Sequence, residues 1–336
     1  MSDKIKSNED VVKETSKILE NNREIWDGLY NGKYLNYVID NEKFYSKRIF
    51  QVDRPLLCYS SLSMINNREY DLRCYGISVG KIRYNQKKNE ITLHVTDSKA
   101  KQNKDVFGFK ESKPLKGVEW LSEDATSFRR FFSSEEVIKP GVREAQMKAI
   151  ILQDLYNRVH NITPITLCGK YYELTTPLKG SNHKPKFCYN KSRHMANGGG
   201  IDILARANHS SNRYGNRIAI IELKDENNTT EPQRDVMIQA LIYATFIAYL
   251  LHSSKGKEWY NKVFGKRKDV PSSLHLDVVT LMPKPTDEKE SNEGEFKEIP
   301  IEFGQEKVTL HPYSMYYEEN KGVLEYSGNF IESLKK

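Results

Sequence analysis

Ile218-Ala219-Ile220-Ile221-Glu222-Leu223-Lys224 is a nearly unbroken apolar run that ends in two ionisable residues. Continuous apolar runs of this length mark strands buried on both faces. Because strand side chains alternate, Glu222 and Lys224 share one face and Leu223 points to the other. Upstream, Gly200-Ile201-Asp202-Ile203-Leu204 sets a single acid inside a second apolar run, where a charge without a partner or a metal is costly. The turn from Asn208 to Asn216, rich in Ser, Asn and Gly, lets the two strands pair as a hairpin and brings Asp202 beside Glu222.

Outward from this hairpin, the apolar spacing predicts a long helix from about Glu231 to Leu251 and a strand over Leu276–Leu281. On the upstream side it predicts a helix from Val142 to about Val159, with Glu144 in its first turn, and a strand over Ile165–Thr175. The order helix, three strands, helix, strand is that of an α/β layer. Weaker strand-like pieces rich in Tyr and Glu follow Leu310. Nearer the N-terminus, Val11, Ile18 and Ile25 with Val12, Leu19 and Trp26 give an amphipathic helix over residues 8–30. Tyr75–Ile82 and Ile91–Val95, joined by the polar Asn85–Asn89 turn, predict a small antiparallel sheet within 33–110. A break near 135 would divide an N-terminal α+β segment, 1–135, from a second domain, 136–336.

The chain has 336 residues, 29% charged and 38% hydrophobic, which favours a soluble globular protein over a disordered or membrane-embedded one. The apolar run Val236 to Leu251 is too short to cross a bilayer and contains Gln239, so it reads as a buried core helix. Cys58, Cys74, Cys168 and Cys188 are scattered without zinc-site spacing, and Met1-Ser2-Asp3-Lys4 has no apolar leader. The expectation is free thiols in a reducing cytoplasmic setting. The net charge of +7 favours a polyanionic partner. Lys179, Lys184, Lys186, Lys191 and Arg193 occur between Leu178 and Asn197 with no acid among them, interleaved with His183, Phe187, Tyr189 and His194. Cations can hold phosphates and aromatic rings can stack on bases.

Two adjacent carboxylates repel unless a cation lies between them. Oxygen ligands favour Mg2+ or Mn2+, which bind through a few carboxylates and keep positions for substrate phosphate. Such a metal polarises a phosphoryl oxygen and acidifies water, and Lys224 would stabilise that water or the charge developing on the phosphate.

Asp202 with Glu222-Leu223-Lys224 resembles the PD-(D/E)xK nuclease superfamily, without its initial proline. Gln239-Ala240-Leu241-Ile242-Tyr243 is similar to the QxxxY helix of RecB-type nucleases in that superfamily, with Gln239 and Tyr243 on one helical face. The resemblance runs from Pro140 to Pro283. It implies a restriction-endonuclease-like core, a mixed sheet flanked by helices, and a Mg2+- or Mn2+-dependent nuclease acting on nucleic acid, DNA first. By the same resemblance Asp202 and Glu222 hold the metal, with the Leu223 carbonyl and Glu144 as further ligands and Glu173 as the competitor to Glu144. Lys224, Gln239 and Tyr243 complete the catalytic set. The basic stretch Lys179 to Arg193 would guide the nucleic-acid backbone to the metal.

The same triplet spelling at Glu295-Phe296-Lys297 and Asp97-Ser98-Lys99 lacks the buried strand, the upstream acid and the Gln/Tyr helix, and reads as surface charge. Gly198-Gly199-Gly200 has no following Gly-Lys-Ser/Thr and reads as relief of crowding where substrate nears the backbone. Two other readings stand beside the nuclease. One is a non-catalytic nucleic-acid-binding or assembly module with this fold. The other is a protein-interaction component, with a homodimer or partner engaged through the N-terminal segment or the Tyr-rich C-terminus.

Overall fold

The structure, a computed structural model, describes residues 7–36, 38–39, 55–61, 69–85, 87–111, 113–134, 136–138, 144–156, 161–167, 170–180, 184–209, 216–225, 231–265, 269–285, 297–320 and 323–335. It is a mixed α/β fold of two compact units. The first comprises residues 1–36, 151–165 and 174–336, and the second 37–150 and 166–173.

The first unit begins with helix α1, Asn8–Asn21. Ser7 caps it: the hydroxyl accepts from the Asp10 amide and the Asp10 carboxylate accepts from the Ser7 amide, a reciprocal box that satisfies two orphan donors. A second short helix, α2 (Arg23–Asp27), follows, so the helix expected over 8–30 forms with a break at Asn22. Trp26 and Tyr30 are buried against Phe246, with ring centroids 6.0 and 4.7 Å away. This packing explains why residues 1–36 group with the C-terminal sheet and not, as a single cut near 135 would require, with the segment that follows them. Buried aromatic rings of this size dominate local stability.

The sheet of this unit contains β6 (Ile162–Pro164), β13 (Ile203–Asn208), β14 (Asn216–Leu223), β15 (Ser273–Pro283), β16 (Ile299–Phe303), β17 (Glu306–Asn320) and β18 (Val323–Ser327). Its order is β16-β17-β15-β14-β13-β6, with β18 also on β17. The pairs β14–β15 and β15–β17 are parallel and the rest antiparallel, which makes the sheet mixed. Gln233–Leu251 forms helix α6, which crosses between β14 and β15 as parallel pairing demands. At 19 residues it is long and apolar enough to cross a membrane, so length does not decide its role. The window that qualifies is 83% buried, as in a core helix. The C-terminal part is firmer than the sequence suggested, because β17 is a single strand of 15 residues between β15 and the edge.

In the second unit the expected antiparallel strands are present within a larger, mixed sheet, whose β1–β8 pair is parallel. The strands are β1 (Leu56–Ser61), β2 (Glu69–Cys74), β3 (Ile77–Asn85), β4 (Glu90–Val95), β5 (Leu115–Glu119), β7 (Thr166–Leu167) and β8 (Lys170–Glu173), in the order β5-β4-β3-β2-β1-β8-β7. Helices α3 (Asp97–Phe107) and α4 (Glu123–Phe132) carry Phe107, Phe128 and Phe132 into an aromatic core with Phe109. Gly108, at φ 75°, ends α3 in the left-handed conformation that glycine adopts without a Cβ penalty. Helix α5, Glu144–Tyr156, spans the division between the units.

The strand expected over Ile165–Thr175 is not one strand. Ile165 donates to the Leu204 carbonyl and stays with the first sheet, whereas β7 and β8 pair with each other in the second, Thr166 opposite Tyr171. Alternation along the chain carries no mark of a change of sheet, so one apolar run concealed the crossing.

On the β15–β17 face that carries Asp277, His275 Nδ1 lies 2.7 Å from His311 Nε2, and His311 Nδ1 lies 3.0 Å from Glu298. Nearby, Asp277 accepts from His209 at 2.6 Å and from Arg217 at 3.3 Å. Burial, and then the Arg217 charge, lower the pKa of both His275 and His311. A histidine whose folded pKa is depressed binds fewer protons folded than unfolded. Its contribution is therefore intact above the ordinary value of about 6.5 and is lost as pH falls below it towards the folded value. Melting temperature should fall as pH drops from 7.5 to 5.5, and the His275→Asn/His311→Gln double variant should show a shallower fall. An identical pH profile for both proteins would contradict this.

Candidate active site

The register of β13 and β14 builds the site. Ile203 faces Ile221 and Leu204 faces Ile220, and Asp202 and Glu222 are the residues that follow at that end of the pairing. Asp202 itself stands just before β13, not within it, and its Oδ2 accepts from the Leu223 amide at 3.1 Å. That bond holds the carboxylate to the neighbouring strand at the level of Glu222. The Glu222 side chain is buried, at 2% exposure, and an ionised group there must be compensated.

Compensation comes from α6 and from the same strand. Gln239 Nε2 donates to Glu222 Oε1 at 2.5 Å and lies 3.3 Å from the Tyr243 hydroxyl. Lys224 Nζ is 3.9 Å from Glu222 Oε1 and 3.4 Å from Glu231 Oε2, so two carboxylates share one ammonium. Lys224 is also buried, and its amide continues the ladder by donating to the Leu281 carbonyl. Tyr317 donates to the Lys224 carbonyl at 3.1 Å and fixes the strand end. Burial raises the Tyr243 pKa, and the negative charges of Glu222 and Asp202 raise it further, so its hydroxyl, which accepts from Gln239, stays neutral.

A polar row continues across the sheet. Glu222 is in register with Thr280, and Thr280 with Ser314, so all three face α6. Gln233, in the first turn of α6, donates to Thr280 at 3.2 Å and Ser314 at 2.6 Å and accepts from Tyr316 at 3.1 Å. This pins the start of the helix and thereby aims Gln239. Glu231, Gln233, Thr280 and Ser314 did not stand out in the sequence, because their roles depend on the β14–β15–β17 register, which no local pattern reveals.

Two of the three glycines relieve crowding within the protein, while Gly200 has open space beside it. A Cβ on Gly199 would fall 1.7 Å from the Tyr243 hydroxyl, and one on Gly198 would fall 2.2 Å from the Leu178 carbonyl oxygen. The close neighbours of Gly198 and Gly199 are the protein's own helix and backbone. Gly180 fits against Gln239 in the same way, with its Cβ position 3.3 Å from the Gln239 Cα.

The other residues expected at the site are more dispersed. Leu223 is buried, with its amide on Asp202. Lys179, Lys184, Lys186, Lys191 and Arg193 are all exposed. They lie on or beside two short hairpins, β9 (Leu178–Lys179) with β10 (Lys186–Phe187) and β11 (Tyr189–Asn190) with β12 (Met195–Ala196). Glu144 is exposed in the first turn of α5 and belongs to the second unit, as does Glu173 on β8. His183 lies outside the described residues.

Among the described residues no group of three or more His, Cys, Asp or Glu is arranged to hold a metal ion. Asp202 and Glu222 supply two carboxylates, and Mg2+ is commonly held by one or two carboxylates with water and substrate phosphate filling the other positions. The donor set therefore fits a hard divalent cation at the lower limit of protein ligands. The chain matches no family model, no curated protein and no solved structure.

If Gly199 exists to admit Tyr243, the two positions must be coupled. Gly199→Ala should lower stability by roughly 1–3 kcal/mol, as overpacking does, and much less in a Tyr243→Ala background. A double-mutant cycle on urea midpoints tests this, and strict additivity would contradict it.

Proposed function

We propose that this chain is a metal-dependent nuclease with a restriction-endonuclease-like core, hydrolysing phosphodiester bonds of nucleic acid, DNA first. One observation carries the reading. Asp202 and Glu222 lie at the same end of the β13–β14 pair, Asp202 on the Leu223 amide, Lys224 is 3.9 Å from Glu222, and Gln239, which also meets Tyr243, donates to Glu222 from the helix that follows. The resemblance in sequence to PD-(D/E)xK enzymes concerns these same residues.

In this reading Asp202 and Glu222 hold Mg2+ or Mn2+. The metal, when bound, supplies Lewis-acid polarisation of a phosphoryl oxygen. The Leu223 amide keeps Asp202 turned toward Glu222. Gln239 fixes Glu222 Oε1, and so orients the carboxylate, while Tyr243 braces Gln239. Lys224, held between Glu222 and Glu231, places a positive charge to stabilise the attacking water or the charge that grows on the phosphate. The exposed cations between Lys179 and Arg193 lie on the segment that leads into Asp202 and favour a phosphate backbone as ligand.

A second reading, a nucleic-acid-binding or assembly module that keeps the fold without catalysis, is favoured by the absence of a third clustered metal ligand among the described residues. The two readings separate in one assay. Purified chain is incubated with labelled single- and double-stranded DNA and RNA in Mg2+, Mn2+ or EDTA. The nuclease reading predicts cleavage that EDTA abolishes and that Lys224→Ala and Asp202→Asn each reduce by about a hundredfold or more, with folding intact by circular dichroism. Absence of cleavage by the folded wild type in every metal would favour the binding module.

A further inference from the structure

The described residues between Leu178 and Asn197, 178–180 and 184–197, form two short strand pairs. The base of this segment is tied down at several points. The Ala196 amide donates to the Tyr34 hydroxyl at 3.0 Å and the Cys188 amide to the Pro177 carbonyl at 2.7 Å. The Asn197 amide donates to the Cys188 carbonyl at 3.1 Å, and Lys33 Nζ to the His194 carbonyl at 3.0 Å. The result is a fixed strap of two small hairpins.

Two features of the strap point to the same ligand. First, Lys179 and Lys186 are directly opposite in the β9–β10 pair, and both are exposed. Like charges facing each other across antiparallel strands destabilise the pair; the residues from 178 to 197 include no acid, and the acids of the neighbouring element are those of α1, which packs on β10. A phosphate between the two lysines would turn repulsion into attraction. Second, Tyr189 and His194 form a joined ring pair, with the Tyr189 hydroxyl 2.9 Å from His194 Nδ1 and centroids 6.4 Å apart. His194 is exposed, while Phe187 and Tyr189 are half-buried. Rings held this way offer a surface on which a base can stack.

We propose that the strap binds single-stranded nucleic acid, with phosphates on Lys179 and Lys186 and a base stacked on the Tyr189–His194 pair. A duplex keeps its base faces inside its own stack, so an aromatic platform gains nothing from it, whereas unpaired bases present a free face. The proposal deepens the nucleic-acid reading above and rests on it for the identity of the ligand, but it does not require cleavage.

Fluorescence anisotropy of the full chain in EDTA, with labelled oligo-dT and oligo-rU of about twenty nucleotides and a duplex of equal length, tests it. Either single strand should bind about tenfold or more tightly than the duplex, and the tighter of the two names the preferred sugar. Lys179→Gln/Lys186→Gln should reduce the slope of log affinity against log salt by about 1.4, near 0.7 for each single-strand phosphate left without its lysine. Tyr189→Ala should weaken single-strand binding on the order of tenfold, and Tyr189→Phe, which keeps the ring, should restore it. Duplex binding equal to or tighter than both single strands, an unchanged salt slope, or a Tyr189→Phe loss as large as that of Tyr189→Ala would overturn the proposal. A chain that binds oligo-dT yet cleaves nothing in Mg2+ contradicts the nuclease reading alone. One that cleaves without preferring single strands contradicts the strap alone.

Discussion

Everything near the candidate site follows from the burial of one carboxylate. Glu222 lies on a strand whose neighbours Ile218, Ile220 and Ile221 are inaccessible, and it is itself 2% exposed. Taking an ion out of water costs several kcal/mol, so the surroundings must supply donors and counter-charge. They do so from two directions, Gln239 from the covering helix and Lys224 from two residues along the same strand, while Asp202 adds a second acid just before the neighbouring strand. A purely structural Glu–Lys pair would gain nothing from that second acid. In the proposed reading a divalent cation would relieve the repulsion between the two acids.

The scaffold serves this arrangement by fixing α6. Phe246 packs under Trp26 and Tyr30 on one side, and Gln233 is anchored to Thr280, Ser314 and Tyr316 on the other. A helix so held cannot slide relative to β14, and Gln239 remains within reach of Glu222. The glycines Gly180 and Gly199 let the strap approach the same helix closely enough to share its position. Strap, helix and strand end thus form one packed neighbourhood within the first unit.

Much of this was legible in the sequence, and the reasons differ by element. The hairpin of β13 and β14 was legible because two apolar runs flank a turn-rich stretch, and the helix after it because Val236 to Leu251 is apolar apart from Gln239 and Thr245. The antiparallel strands of the second unit showed through alternation at Ile91 to Val95. What was hidden depends on long-range register. The division of 162–173 between two sheets, the joining of residues 1–36 to the C-terminal sheet, and the Thr280–Ser314 row under Gln233 are all contacts between segments far apart in the chain. The use of Gly199 was misread for the same reason, since only the fold reveals that Tyr243 fills the space beside it.

The central claim is that Asp202 and Glu222 together bind one divalent cation. Titration of the intact chain with Mn2+, followed by the loss of the free-ion signal in electron paramagnetic resonance, tests it without reference to any substrate. The account predicts one saturable site in the wild type, weakened about tenfold or more in both Asp202→Asn and Glu222→Gln. Binding of equal strength in all three folded proteins, or none in the wild type, would contradict it.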